Sequence, residues 1–244
     1  MIQQPTDLHA PIRNRLLDAL PTIEYERLLP NLEEVSLAYN TILYDVGDTL
    51  THVYFPNDGI ISLLLTDQVE TLEVGIVGRE GMAGLPLFMG VKTSRVRSLV
   101  QPSGTAMRMK ADDLKNECRH GGVLAGLLLR FSYSMMLQVW QSATCYRRHT
   151  IEERIIRRLL MTNDRMETND FEMTQRFLSS VVGVRREAIN KVAINLKREG
   201  LIDYSHGFIE IIDRPGLEAA ACECYPVIRD DEASSQISRQ FEPS

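Results

Sequence analysis

Residues Met173 to Leu201 read MTQRFLSSVVGVRREAINKVAINLKREGL, and no other stretch constrains the fold as tightly. Apolar residues fall at Leu178, Val182, Val184, Ile189 and Val192. This spacing predicts two short amphipathic helices packed against each other. Ser179 is small where the first helix has to approach the second closely. Gly183 separates the two patterns, at a point where a helix end often needs positive φ. The arrangement is that of a helix-turn-helix, whose second helix enters the DNA major groove. Arg186 and Glu187 stand near the start of that second helix and point away from its core. Arginine donates to guanine O6 and N7, and a carboxylate accepts from cytosine N4, so the pair can read sequence.

Small three-helix units also bind proteins, so the remainder of the chain has to choose between these readings. The sequence has 244 residues and 44 % hydrophobic content, enough for two domains with real cores. No run of about eighteen consecutive apolar residues occurs, and the N-terminus lacks the apolar centre of a signal peptide. The expectation is a cytoplasmic protein with no membrane partner. The net charge of −6 argues against a generic nucleic-acid binder. That charge is unevenly distributed, however. Arg147 to Gly200 holds twelve Lys/Arg against eight Asp/Glu, whereas Asp213 to Ser244 holds three against seven. A basic face is therefore compatible with the acidic total.

Residues 13–30 read as a short helical lead-in, broken by Pro21 and closed by Pro30. From Glu33 to about Met109, alternation such as Val35, Leu37, Tyr39 and Leu72, Val74, Ile76 predicts short strands. Turn signals recur at Val46–Asp48, Asn57–Gly59 and Pro102–Gly104. The glycine-rich stretch Gly78–Gly90 predicts a loop holding a short helix. Val123 to about Arg148 is a long apolar helix with two adjacent stripes. One contains Leu128, Phe131, Met135, Ser142 and Cys145; the other contains Leu129, Met136, Val139, Ala143 and Tyr146. Two stripes imply two partners, the strand domain and a second copy of the helix, although a core helix would give the same pattern. Thr150 to Met161 is a further helix, with Thr150 and Glu153 spaced as a capping box. Thr162 to Glu172 is polar and is expected to be a linker. Leu201–Ile212 has the signature of a hairpin turning at His206-Gly207, Leu217–Tyr225 that of a closing helix, and Asp230–Ser244 that of a mobile tail.

A strand-rich roll, a long helix and a winged helix-turn-helix, in this order, resemble the CRP/FNR family of bacterial transcription regulators, over roughly Leu16 to Tyr225. The most specific part is Val182-Gly183-Val184-Arg185-Arg186-Glu187 with Lys191, which is similar to the family's recognition segment. Cys145–His149 through Leu160, and Asp213–Glu218, are similar to a subgroup of the family. The resemblance implies an α+β fold, in which an N-terminal antiparallel β-roll of double-stranded jelly-roll type precedes a long dimerisation helix and a C-terminal winged helix-turn-helix. The corresponding expected domains are 13–120, 121–148 and 149–228, with a tail at 229–244. It further implies a homodimer through residues 123–148, bound to double-stranded DNA at a palindrome with TGTGA-like half-sites, with RNA polymerase as a partner. Arg186, Glu187 and Lys191 would read bases. Thr174, Gln175, Arg176 and Arg185, at helix starts, would meet phosphate.

In many relatives the β-roll binds a cyclic nucleotide. The matching positions here form an expected effector pocket of Arg79, Glu80, Gly81, Arg95, Trp140 and Gln141. Arg95 is followed by Val96, which offers no hydroxyl, and it lies in an ordinary strand alternation with Arg97. The expectation is accordingly no cofactor, with cyclic nucleotide doubtful. No catalytic constellation stands out, and no enzyme is expected. The four cysteines form no Cys-x2-Cys pair, and Cys222-Glu223-Cys224 makes a poor metal site without further ligands nearby. No metal is expected, and His149 reads as an ordinary polar contact. The competing function is a ligand-sensing β-roll adaptor that works through protein contacts rather than DNA; it would not need an exposed Arg185-Arg186-Glu187 cluster.

Overall fold

The computed structural model describes residues 13–66, 71–119, 121–166 and 168–237. Two short helices, α1 (Arg15–Asp18) and α2 (Thr22–Leu28), precede seven strands: β1 (Glu33–Leu37), β2 (Ile42–Tyr44), β3 (His52–Pro56), β4 (Ile61–Thr66), β5 (Thr71–Val77), β6 (Arg97–Val100) and β7 (Gly104–Lys110). They form two antiparallel sheets, ordered β1-β7-β3 and β2-β6-β4-β5. Alternate residues point into the space between the sheets, as the two-residue period of a strand requires. Leu37, Val53, Phe55, Ile61, Val77, Val100, Ala106 and Met109 fill this core. The glycine-rich segment is a loop with one 3-10 turn at Leu85–Leu87.

After α3 (Ala111–Cys118) comes the long helix α4 (Val123–Arg148). Its inner face places Leu124, Leu128, Phe131 and Met135 in the β-roll core. Close approach is secured at Gly81, where an added Cβ would lie 2.1 Å from the Phe131 ring. Gln138 is buried and acts as a side-chain strand edge: Oε1 accepts from the Ile76 amide at 2.5 Å, and Nε2 donates to the Ile76 carbonyl at 3.2 Å. By length and composition alone α4 could cross a membrane. Its buried face, however, is committed to the β-roll, and its Arg130 is ion-paired to Asp231 at 2.6 Å.

α5 (Ile151–Arg165) follows a capping box in which Thr150 and Glu153 satisfy each other's backbone amides. Next come β8 (Asp170–Glu172), α6 (Gln175–Val182), α7 (Arg186–Arg198), the hairpin β9 (Ile202–Ser205) and β10 (Phe208–Ile211), α8 (Arg214–Ala219) and α9 (Cys224–Ile237). One apolar cluster joins Ile60, Leu64 and Ile76 of the β-roll to Leu159, Phe177, Ile189, Leu196 and Ile209 of the C-terminal half. The two halves therefore share a core.

Three expectations are corrected. Thr162–Glu172 is not a linker: Thr162, Asn163 and Arg165 are buried in the last turn of α5, and β8 pairs with β10. The closing helix is not continuous over Leu217–Tyr225, because the chain breaks between α8 and α9. Residues 230–237 are helical rather than a mobile tail, and the rest of the expected tail, 238–244, lies outside the described residues. The acidic residues of this C-terminal region have partners: Asp231 binds Arg130, Glu232 binds Arg165, and Glu218 binds Arg214.

Candidate nucleic-acid interface and β-roll cavity

Thr174 caps α6 by accepting from the Phe177 amide at 3.2 Å. α6 ends at Gly183, which adopts the left-handed conformation at φ 67°, ψ 44°. A side chain there would be strained, and so the glycine permits the sharp turn. Ser179 donates to the Val184 carbonyl at 2.6 Å and ties the turn to α6. Ile189, Val192 and Leu196 face inward along α7. This leaves Arg185, Arg186, Glu187, Asn190 and Lys191 exposed at its N-terminal end. Among the described residues these five side chains form no ion pair. Gln175 donates to Asn190 at 3.0 Å, holding the start of α6 against α7.

A concavity of about 530 Å³ opens between these helix starts and the wing, lined by Thr174, Gln175, Arg176, Arg186, Tyr204, His206 and Gly207. The structure thus brings Thr174, Gln175, Arg176 and Arg186 to one surface, with Glu187 and Lys191 exposed on the same helix as Arg186. Sequence reasoning missed Tyr204, His206 and Asn190. The His206-Gly207 turn was visible as a hairpin signal, but its placement beside Arg176 depends on β8 pairing with β10.

The six expected effector residues are not gathered around the β-roll cavity. Glu80 Oε1 accepts from the Gly78 amide at 3.0 Å and from Arg165 at 2.8 Å, whereas Oε2, also buried, has no hydrogen-bond partner among the described residues. Gly81 lies against Phe131, Arg95 is exposed, and the Arg79 carbonyl accepts from the Arg15 amide at 2.7 Å. Trp140 is exposed on α4, edge-on to Tyr133, and Gln141 is half-buried. The β-roll does hold a cavity of about 230 Å³, but none of these six residues lines it. Its walls include Leu50, Leu63, Val77, Met82, Leu85 and Met135, with Ser94 and Ser98 as hydroxyls.

The two stripes of α4 also separate. Leu128, Phe131, Met135, Ser142 and Cys145 are buried, while Leu129, Met136, Val139 and Ala143 are exposed, together with Tyr133 and Trp140. Leu129, Tyr133, Met136, Trp140 and Ala143 alternate by four and three residues, the spacing of a helix–helix seam. Tyr146 departs from its expected stripe: its hydroxyl donates inward to the Val181 carbonyl at 2.7 Å.

The assessment of the cysteines changes as well. Cys222 and Cys224 do have further potential ligands nearby, because α4 ends beside them with Cys145 and His149. The contact between the Cys145 and Cys222 sulfurs, 3.8 Å apart, favours the thiolate at Cys222 and the thiol at Cys145.

The chain thus joins a β-roll, a long helix and a winged helix-turn-helix with an exposed basic edge. Residues 153–220 match the Crp-like helix-turn-helix domain. Among proteins of curated function none is similar enough in sequence to match. Solved structures are similar across most of their length. FixK2 from Bradyrhizobium japonicum superposes with a TM-score of 0.67 at 15 % identity, covering 78 % of this chain and 98 % of its own. The c-di-GMP responsive global regulator CLP of Xanthomonas campestris gives 0.61 at 17 % identity, covering 79 % and 100 %. TTHB099, a CRP-family regulator from Thermus thermophilus, gives 0.63 at 18 % identity, covering 77 % and 96 %. The chain has the fold of the CRP/FNR transcription regulators and carries a Crp-like helix-turn-helix domain.

Proposed function

We propose that the protein is a homodimeric, cytoplasmic transcription regulator that reads a palindrome with TGTGA-like half-sites and acts with RNA polymerase. The observation that carries this reading is the exposed row Arg186, Glu187 and Lys191 at the start of α7. The row is flanked by Thr174, Gln175, Arg176 and Arg185 for the phosphates. Arg186 is suited to guanine and Glu187 to the cytosine N4 of the opposite strand. The exposed seam of α4 would pair with its symmetry mate and place two α7 helices about one DNA turn apart. Binding-site selection with the wild-type protein should return a two-fold symmetric motif. Glu187→Ala should relax one position per half-site, by about 1–3 kcal/mol. Unchanged base preferences would remove Glu187 from the reading edge. Met136→Glu should give a monomer by light scattering, because it sets like charges across an apolar seam.

The signal belongs to the β-roll cavity, whose apolar walls reach α4 at Met135. Such walls suit a small apolar group better than a cyclic phosphate, which needs a cation and several donors. Calorimetry with cAMP and cGMP should show no binding; micromolar affinity for either would overturn this part of the reading.

A further inference from the structure

The joint between α4 and α5 meets the joint between α8 and α9 in a small cluster separate from both main cores. Cys145 and His149 are one helical turn apart at the C-terminal end of α4, so their side chains lie on one face. Cys222 lies in the turn that leads into α9 and Cys224 is the first residue of that helix; the Tyr225 amide donates to the Cys222 carbonyl at 3.0 Å. Cys145, Cys222 and Cys224 are buried, and the His149 side chain is 9 % exposed. The four potential ligand atoms all lie within 4.8 Å of one another.

Two of these distances have a specific chemical meaning. Cys145 Sγ and Cys222 Sγ are 3.8 Å apart, and Cys224 Sγ and His149 Nδ1 are 3.6 Å apart. A tetrahedral ion with Zn–S of about 2.3 Å and Zn–N of about 2.0–2.1 Å has S–S edges of roughly 3.8 Å and S–N edges of roughly 3.5 Å. The imidazole is already oriented for the task. Its Nε2 faces the Glu223 carboxylate at 3.1 Å, leaving Nδ1 toward the sulfurs. A carboxylate on the far ring nitrogen is the usual support of a metal-bound histidine.

Charge gives an independent indication. Three thiolates, a neutral imidazole and a divalent ion sum to one negative charge. Arg157 is 8 % exposed and acts electrostatically on all three cysteines. Among the described residues it forms no ion pair; its Nη1 donates to the Ser142 hydroxyl at 3.3 Å, and its Nε has no hydrogen-bond partner. A buried guanidinium without a counter-charge is costly. An anionic metal centre would supply one.

We propose that Cys145, His149, Cys222 and Cys224 form a closed Cys3His site for a single Zn2+ ion, which staples the end of the long helix α4 to the C-terminal helix of the DNA-binding half. The donor set, soft and four-coordinate, is that of a structural zinc site, with no position left for a substrate or water. The staple crosses the joint whose angle sets the position of α7 relative to α4. The site rests on its own geometry and stands whether or not the DNA reading is right.

The test uses the full chain, purified under reducing conditions after growth with zinc, with metal content measured by mass spectrometry. One equivalent of zinc per chain is expected in the wild type and in Cys118→Ser, whose cysteine lies outside the cluster. Cys222→Ser and His149→Ala should lose it while keeping a wild-type circular dichroism spectrum. Glu223→Gln should retain the metal but release it to a competing chelator with about 10–100-fold weaker affinity. Titration of the metal-stripped wild type with Co2+ should produce thiolate-to-metal charge transfer and the strong red bands of tetrahedral cobalt. That titration decides the matter even if the ligand variants fail to fold. Zinc well below one equivalent together with a featureless cobalt titration overturns the proposal. So do zinc retained in full by Cys222→Ser, a visible chromophore with acid-labile sulfide, or a Cys145–Cys222 disulfide in place of metal.

Discussion

Two groups of arginines in the C-terminal half, which the sequence presents as one, use their charge differently. Arg176, Arg185 and Arg186 are exposed, and among the described residues they form no ion pair. Arg158 and Arg165 are buried and paired: Arg158 with Glu73 at 2.6 Å, Arg165 with Glu80 at 2.8 Å and with Glu232. The first group leaves its charge available to a polyanion. The second commits its charge to carboxylates of the β-roll and α9, and so joins the helix-turn-helix half to the β-roll half. A local excess of basic residues is thus a poor measure of a binding face, because burial removes several of them from it.

The sharpest way to break this comparison is Arg165→Ala. It leaves Glu80 and Glu232 buried together without the cation that bridges them. Burial already pushes the Glu232 carboxyl up to about 7, against the pull of Arg165. Breaking such a buried cluster by removing one partner costs about 3–5 kcal/mol. Chemical denaturation should show this as a lower midpoint. A variant as stable as the wild type would mean that the two halves are held by their shared apolar core alone.

This contrast also explains which parts were legible in the sequence. The helix-turn-helix was readable because its information is local: Leu178, Gly183 and Ile189 lie within a few turns of one another. The capping box at Thr150 and the hairpin around His206-Gly207 were readable for the same reason. Thr162–Arg165 read as a linker because these residues are polar, and their partners are remote. Glu80 precedes Arg165 by 85 positions. The expected effector positions show the mirror image of this. Glu80 lies in the expected loop, but one of its carboxylate oxygens accepts from an arginine that no local pattern could assign. His149 and the cysteines read as unconnected, because Cys145 and Cys222 stand 77 positions apart. The two stripes of α4 were visible, but only packing shows that the stripe with Phe131 faces inward.

The exposed population is tested by changes that should leave stability alone. Arg186→Ala removes two donors suited to guanine. It should cost about 1–3 kcal/mol at one base position and relax the preference there. Its denaturation midpoint should match the wild type, since exposed substitutions away from special features stay within about 0.5 kcal/mol. Loss of stability on this substitution would place Arg186 with the buried population and sink the division.

The smallest expected effect separates reading from holding within the exposed group itself. Arg176 lies at the start of α6 beside the wing, across the concavity from Arg186. A guanidinium there is placed for a phosphate and carries no base information. Arg176→Ala should therefore weaken binding to all sequences alike and leave the selected motif unchanged. Each phosphate contact releases about one counterion, so the slope of log affinity against log salt should become shallower by about 1. Fluorescence anisotropy across a salt series measures this directly. If the slope stays fixed while one base preference relaxes, Arg176 reads sequence, and the reading edge extends from α7 onto α6.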